Sequence, residues 1–131
     1  MLAELLERWT LLESDRCLPW SGLQKSNMNW LHLPDGNKMV RVFNHGNDPQ
    51  SLAVVEHAVQ QAIAARPDWI AFHHLSRLTS DGSAEHVITV YPKEDEANHY
   101  SASSAIAAEA WLEAYLKAVE GVKAVSAEVQ S

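Results

Sequence analysis

The chain reads as an α+β domain. A four-stranded antiparallel sheet made of two hairpins is expected, with three helices in the order α-ββ-α-ββ-α lying mainly on one of its faces. Three observations predict this. Residues 48–92 run as helix, sharp stop, strand, turn and strand, with Asp48 and Pro49 opening the helix and Pro67 closing it. Strand-like runs flank both Pro34-Asp35-Gly36-Asn37 and Asp81-Gly82, turn compositions that tolerate the left-handed backbone of a tight hairpin. Apolar residues at helical spacing precede the first hairpin and follow the second.

Taken in order, the first segment places Leu2, Leu5, Leu6, Trp9 and Leu12 on one stripe opposite Glu4, Glu7 and Arg8, the pattern of a helix that docks on the sheet. Ser14-Asp15 ends it. Residues 14–27, with Pro19 and Gly22, predict an irregular connection or one short edge strand. Strands at 28–33 and 38–43 follow. With Asp35 and Gly36 central, Trp30 faces Arg41 and Leu31 faces Val40, and a Trp–Arg stack there is worth roughly 0.5–1 kcal/mol if exposed. A loop at 44–47 leads to the middle helix, where Leu52, Val55, Val59, Ala62 and Ile63 recur at helical spacing.

Strands at 69–78 and 86–91 form the second hairpin, rich in β-branched and aromatic residues. Centring it on Asp81-Gly82 sets Arg77 opposite His86, Leu75 opposite Ile88, His73 opposite Val90 and Phe72 opposite Tyr91. Alternation then groups Trp69, Ala71, His73, Leu75, Ile88 and Val90 on one side. Ile70, Phe72, His74, Leu78, Val87 and Tyr91 take the other. Both sides are partly apolar, so the second one calls for a partner, a covering segment or a dimer. Residues 93–96 read as a solvated charged loop. Ser101, Ser103 and Ser104 offer N-caps to a last helix running to about residue 120, with Ala105, Ala108, Trp111, Leu112, Tyr115, Leu116 and Val119 inward. Gly121 reads as its stop, and 122–131 as a tail that continues helical or frays.

At 131 residues, one domain (1–131) is expected. A formal net charge of −7 argues against nucleic acid and anionic membranes as partners. No apolar run approaches the ~20 residues that span a bilayer, and the first segment lacks the layout of a signal peptide. Cys17 is the one cysteine, so an intrachain disulfide is excluded and a reducing compartment fits. A cytoplasmic protein is predicted.

Seven histidines, at 32, 45, 57, 73, 74, 86 and 99, are the richest chemical resource. His73 and His86 share a face of the second hairpin with Arg77 near His86, and the three form a candidate cluster for an anionic ligand or for proton transfer. No His-x-x-x-His or His-Glu-x-x-His occurs, so no metal site is predicted. Cys17 precedes Leu18-Pro19-Trp20 without a local histidine and reads as a small hydrophobe. No serine sits in a Gly-x-Ser-x-Gly elbow, and Gly36, Gly46 and Gly82 are isolated turn glycines. No catalytic residue and no cofactor are predicted.

The succession of Trp30, Lys38-Met39-Val40-Arg41-Val42-Phe43, a helix, Arg66-Pro67-Asp68-Trp69 and a strand ending in Val87-Ile88-Thr89-Val90 resembles the layout of pterin-4a-carbinolamine dehydratases, over roughly residues 30–115. That family carries a His-His-Pro signature at the helix-to-strand junction. Here Ala65 and Arg66 precede Pro67, and His73-His74 lie further along the strand, so no catalytic role transfers. The order of elements is also similar to that of small secretion chaperones, which are acidic and dimerise through extra apolar surface. The expected function is a non-enzymatic acidic protein-binding module of chaperone, adaptor, immunity or inhibitor type. It would form a homodimer or clasp a protein partner through Trp30, Arg41, Phe72 and Tyr91. The alternative is a small-molecule binder or enzyme with His73, Arg77 and His86 in a cleft.

Overall fold

The third strands decide the architecture. The computed structural model describes residues 2–19, 27–34, 37–76 and 84–130. Along them run α1 (Leu2–Leu12), β1 (Cys17–Pro19), β2 (Met28–Leu33), β3 (Lys38–Phe43), α2 (Pro49–Ala64), β4 (Ile70–Leu75), β5 (His86–Tyr91), a 3-10 turn (Lys93–Asp95), β6 (Tyr100–Ser104) and α3 (Ala107–Gln130). The strands form two separate antiparallel sheets, ordered β1-β2-β3 and β4-β5-β6. The fold is α+β, but the expected single four-stranded sheet is wrong. Each hairpin takes a third strand of its own: β1 occupies the outer edge of β2 and β6 that of β5. The two remaining edges, β3 and β4, do not pair with each other.

Helices join the sheets. α1 packs on β1, α2 packs on β2 and β3, and α3 packs on β5 and β6 while also touching α1 and α2. One hydrophobic cluster results, running from Leu6, Trp9, Leu31 and Val42 through Val55 and Val59 to Ile88, Val90, Leu112 and Leu116. Helices mainly on one face of one sheet is therefore also corrected, since each sheet turns its own inner face to a different helix.

The first hairpin has the expected register, with Trp30 opposite Arg41 and Leu31 opposite Val40. The second is displaced by two residues: Leu75 lies opposite His86, His73 opposite Ile88, Phe72 opposite Thr89 and Ile70 opposite Tyr91. A slip of two preserves the faces, because side chains alternate with period two. The grouping by face survives, with Ile88 and Val90 buried while Leu75 at the end of β4 is exposed. Asp35-Gly36, Asp81-Gly82, Arg77, Leu78 and residues 20–26 lie outside the described residues.

α2 begins as expected. The Asp48 carboxylate accepts the Ser51 N–H at 2.9 Å and Pro49 occupies the first turn. Ser51 is buried and its Oγ accepts the Phe43 N–H at 2.9 Å, which ties the helix start to the end of β3. At the other end Asp68 adopts φ 63, a left-handed residue that turns the chain from Pro67 into β4.

The last third of the chain departs most from expectation. Residues 100–104 are a strand, and α3 starts later and runs through Gly121 to Gln130. Gly121 is a close approach, not a stop: a Cβ there would collide with the Tyr100 ring, which crosses the helix at that point. Tyr100 in turn donates its hydroxyl to Asp95 at 2.5 Å, and Asn98 donates to the same carboxylate at 2.9 Å. Asp95 is buried, so the loop at 93–96 is not simply solvated.

Candidate functional site

β4 supplies the least covered surface of the described residues. It is an edge strand whose sequence, Ile-Ala-Phe-His-His-Leu, carries no charge, and every residue but Ala71 is exposed. Ile70, Phe72 and Leu75 are 54, 57 and 61% exposed, and Tyr91 beside them on β5 is 42% exposed. Ile70, Phe72 and Tyr91 share the face turned away from α3. Phe72 meets Tyr91 edge to face at 5.6 Å between ring centroids, and Tyr91 meets His99 at the same separation. Towards β6 the face turns polar, where Thr89 and Ser101 hydroxyls hydrogen-bond at 2.8 Å. The apolar part of this face is thus concentrated along β4.

The expected binding residues fall into two groups. Phe72 and Tyr91 come together as diagonal neighbours, not as directly opposed residues, because of the register shift. Trp30 and Arg41 stay opposed, but on the other sheet. Trp30 is half-buried and Arg41 exposed. Arg41 lines a cavity of about 230 Å³ with Met28, Val40, Phe43, Ser51 and Val54, between β3 and the start of α2.

The histidine cluster assembles in part. His73 Nε2 lies 2.9 Å from His86 Nδ1, and His73 meets Trp111 of α3 edge to face at 5.8 Å. That bond needs one donor and one acceptor, so it cannot form when both rings carry two protons. Among the described residues no three His, Cys, Asp or Glu side chains converge as a metal site.

A polar junction that the sequence did not disclose sits among the helices. Glu13, directly after α1, accepts from Tyr115 Oη at 2.7 Å, from Arg66 at 2.9 Å and from Trp9 Nε1 at 3.0 Å. The Arg66 guanidinium also stacks over the Trp69 ring at 4.4 Å. Burial works to raise the Glu13 pKa, but the donors Tyr115, Trp9 and Arg66 together outweigh it and hold the carboxyl below its ordinary value. Burial, reinforced by the bond to Glu13, pushes the Tyr115 phenol up. With every Glu13 oxygen engaged, the junction clamps α1, the end of α2 and α3 together. Partners 53 and 102 residues apart leave no local pattern to read.

No protein-family model, curated protein or solved structure matches this chain. Geometry alone therefore carries the functional reading. Where the pterin dehydratases have His-His-Pro, this chain has Arg66 before Pro67, committed to Glu13 and Tyr115. Cys17 is buried, with its Sγ accepting the Thr10 hydroxyl at 3.3 Å, and burial pushes its thiol up to about 11, so it is neutral and inert at neutral pH. No helix of the described residues is long and apolar enough to cross a membrane.

Proposed function

We propose that this chain is a non-enzymatic protein-binding module that docks through the uncovered apolar surface of β4 and β5. One observation carries the reading: Ile70, Phe72 and Tyr91 are all roughly half exposed and share one face of β4 and its neighbour β5. Isolated exposed leucines are ordinary, whereas a paired Phe and Tyr flanked by Ile on the same face match the aromatic-rich centres of binding surfaces. The net charge of −7 favours protein partners over nucleic acid, and the lone buried thiol goes with a cytoplasmic setting.

The test is a photocrosslinking benzophenone at position 72, with a second at Leu11, 80% exposed on α1, as control. Protein adducts should form from position 72 alone and disappear when Ile70→Asp and Tyr91→Asp are added. Equal adduct yields at both positions would refute the proposal.

A second reading, a small-molecule site at His73, Arg77 and His86, is favoured by the 2.9 Å imidazole contact. It predicts that a folded His73→Ala/His86→Ala variant loses affinity for anions such as inorganic phosphate. Unchanged phosphate binding, or none in the parent chain, removes it.

A further inference from the structure

We infer that the partner on this surface is a second copy of the chain, joined edge to edge through β4 in one six-stranded antiparallel sheet. The inference rests on the docking reading above and specifies its occupant.

The backbone gives the first argument. β5 is the one hydrogen-bonded neighbour of β4 among the described residues. Ser76 N–H donates to the opposed Glu85 carbonyl at 2.7 Å, which fixes the alternation of the ladder. Residues 70, 72 and 74 therefore direct their N–H and C=O groups at β5, and Ala71, His73 and Leu75 direct theirs outward. Edge strands that must stay single are normally protected by lysine, proline, a bulge or an inward charge. The sequence of β4 has no charged residue and no proline.

Symmetry gives the second. An antiparallel pair of identical strands around a two-fold axis places opposed residues on the same face, so the axis passes through one residue and not between two. Centring on Phe72 lets Ala71 and His73 exchange backbone hydrogen bonds with the second copy. Phe72 then opposes Phe72 of the second copy in the non-hydrogen-bonded position, where side chains approach most closely. The two Phe72–Tyr91 pairs merge into one four-ring cluster, with Ile70 of each copy at its ends.

Area is the third. Aromatic side chains bury roughly 150–250 Å² each, so Ile70, Phe72 and Tyr91 at their present exposure leave on the order of 300 Å² uncovered per copy on this face, and Leu75 adds to the area on the opposite face of the joined strands. Two copies together with their strand edges reach about the 1,000 Å² that a specific interface requires. The pairing closes on itself and stops at two chains.

The test combines mass with chemistry. Sedimentation at micromolar concentration should give twice the chain mass of 14.6 kDa. Ala71→Pro, which removes an outward N–H and leaves the β5 ladder intact, should give the single-chain mass with an unchanged circular dichroism spectrum and a melting temperature that no longer depends on protein concentration. Phe72→Cys should oxidise to a disulfide-linked dimer, whereas Ser101→Cys, on the same face near β6, should not. The single-chain mass for the parent protein overturns the inference. So does a dimer that survives Ala71→Pro and cross-links at position 101 instead of 72. If the parent is monomeric yet benzophenone at position 72 still captures another protein, the docking reading stands and this occupant is wrong.

Discussion

Glu13 is 13% exposed at its side chain and receives three side-chain donors, two of them from α3 and from the turn after α2. Replacing it with alanine strands the Arg66 guanidinium and the Tyr115 hydroxyl in a half-dry site, an expected loss of about 2–3 kcal/mol in denaturant unfolding. The pH dependence follows from the sign of the shift. A carboxyl held below its unfolded value contributes its full stability above the unfolded pKa, near ~4.3, and loses it as pH falls through the lower folded value. Unfolding measured across the acid range should therefore show stability falling below about pH 4, and Glu13→Gln should flatten that limb. An unaltered acid limb in the variant would assign the effect elsewhere.

At the scale of elements, Gly121 and Tyr100 make one coupled unit. Alanine in place of a mid-helix glycine normally gains about 1 kcal/mol. Here the added methyl displaces Tyr100, whose hydroxyl bond to Asp95 is worth about 1.5–3 kcal/mol as a contact to a charged group. Gly121→Ala should thus destabilise by about 1 kcal/mol, and Tyr100→Ala should reverse the sign of that effect. Thermal unfolding of the two single variants and the double variant checks this. Such long-range contacts explain what the sequence hides. α1 and α2 were legible because their apolar spacing and the Asp48-Pro49 start are local signals. β6 was not, since Tyr-Ser-Ala-Ser-Ser offers serines that read as helix caps and one inward alanine, Ala102, in place of β-branched residues. Ser104 does serve a cap-like role, its Oγ accepting the Ile106 N–H at 3.0 Å, but only for a helix that starts three residues on. β1, three residues long, is too short for any pattern.

Across the whole molecule, the short edge strand allowed for at 14–27 is β1, β6 was missed, and the two hairpins were joined into one sheet although β3 and β4 do not pair. The alternation along β4 and β5 was nonetheless readable, so the pairing of Phe72 with Tyr91 on one apolar face emerged despite the wrong register. That Trp30 and Arg41 belong to another sheet was not readable, because no local pattern tells whether the β3 and β4 edges pair. Net charge bears on assembly at this scale. Two chains at −7 repel through solvent, while the strand between them is uncharged. Raising ionic strength to physiological levels shortens the screening length to ~8 Å, so the dimer fraction seen in sedimentation should increase with salt. A fraction that falls with salt would point to opposite charges meeting at the contact instead.

The position of α3 in the chain has a consequence during synthesis. It is the element that touches both other helices and backs the second sheet, yet it follows all of them in sequence. Trp9, Ile88 and Val90 are all synthesised before Leu112, Tyr115 and Leu116 exist to cover them. The nascent polypeptide therefore passes through a stage in which much of its apolar interior is bare, and its cooperative closure waits until α3 has been made.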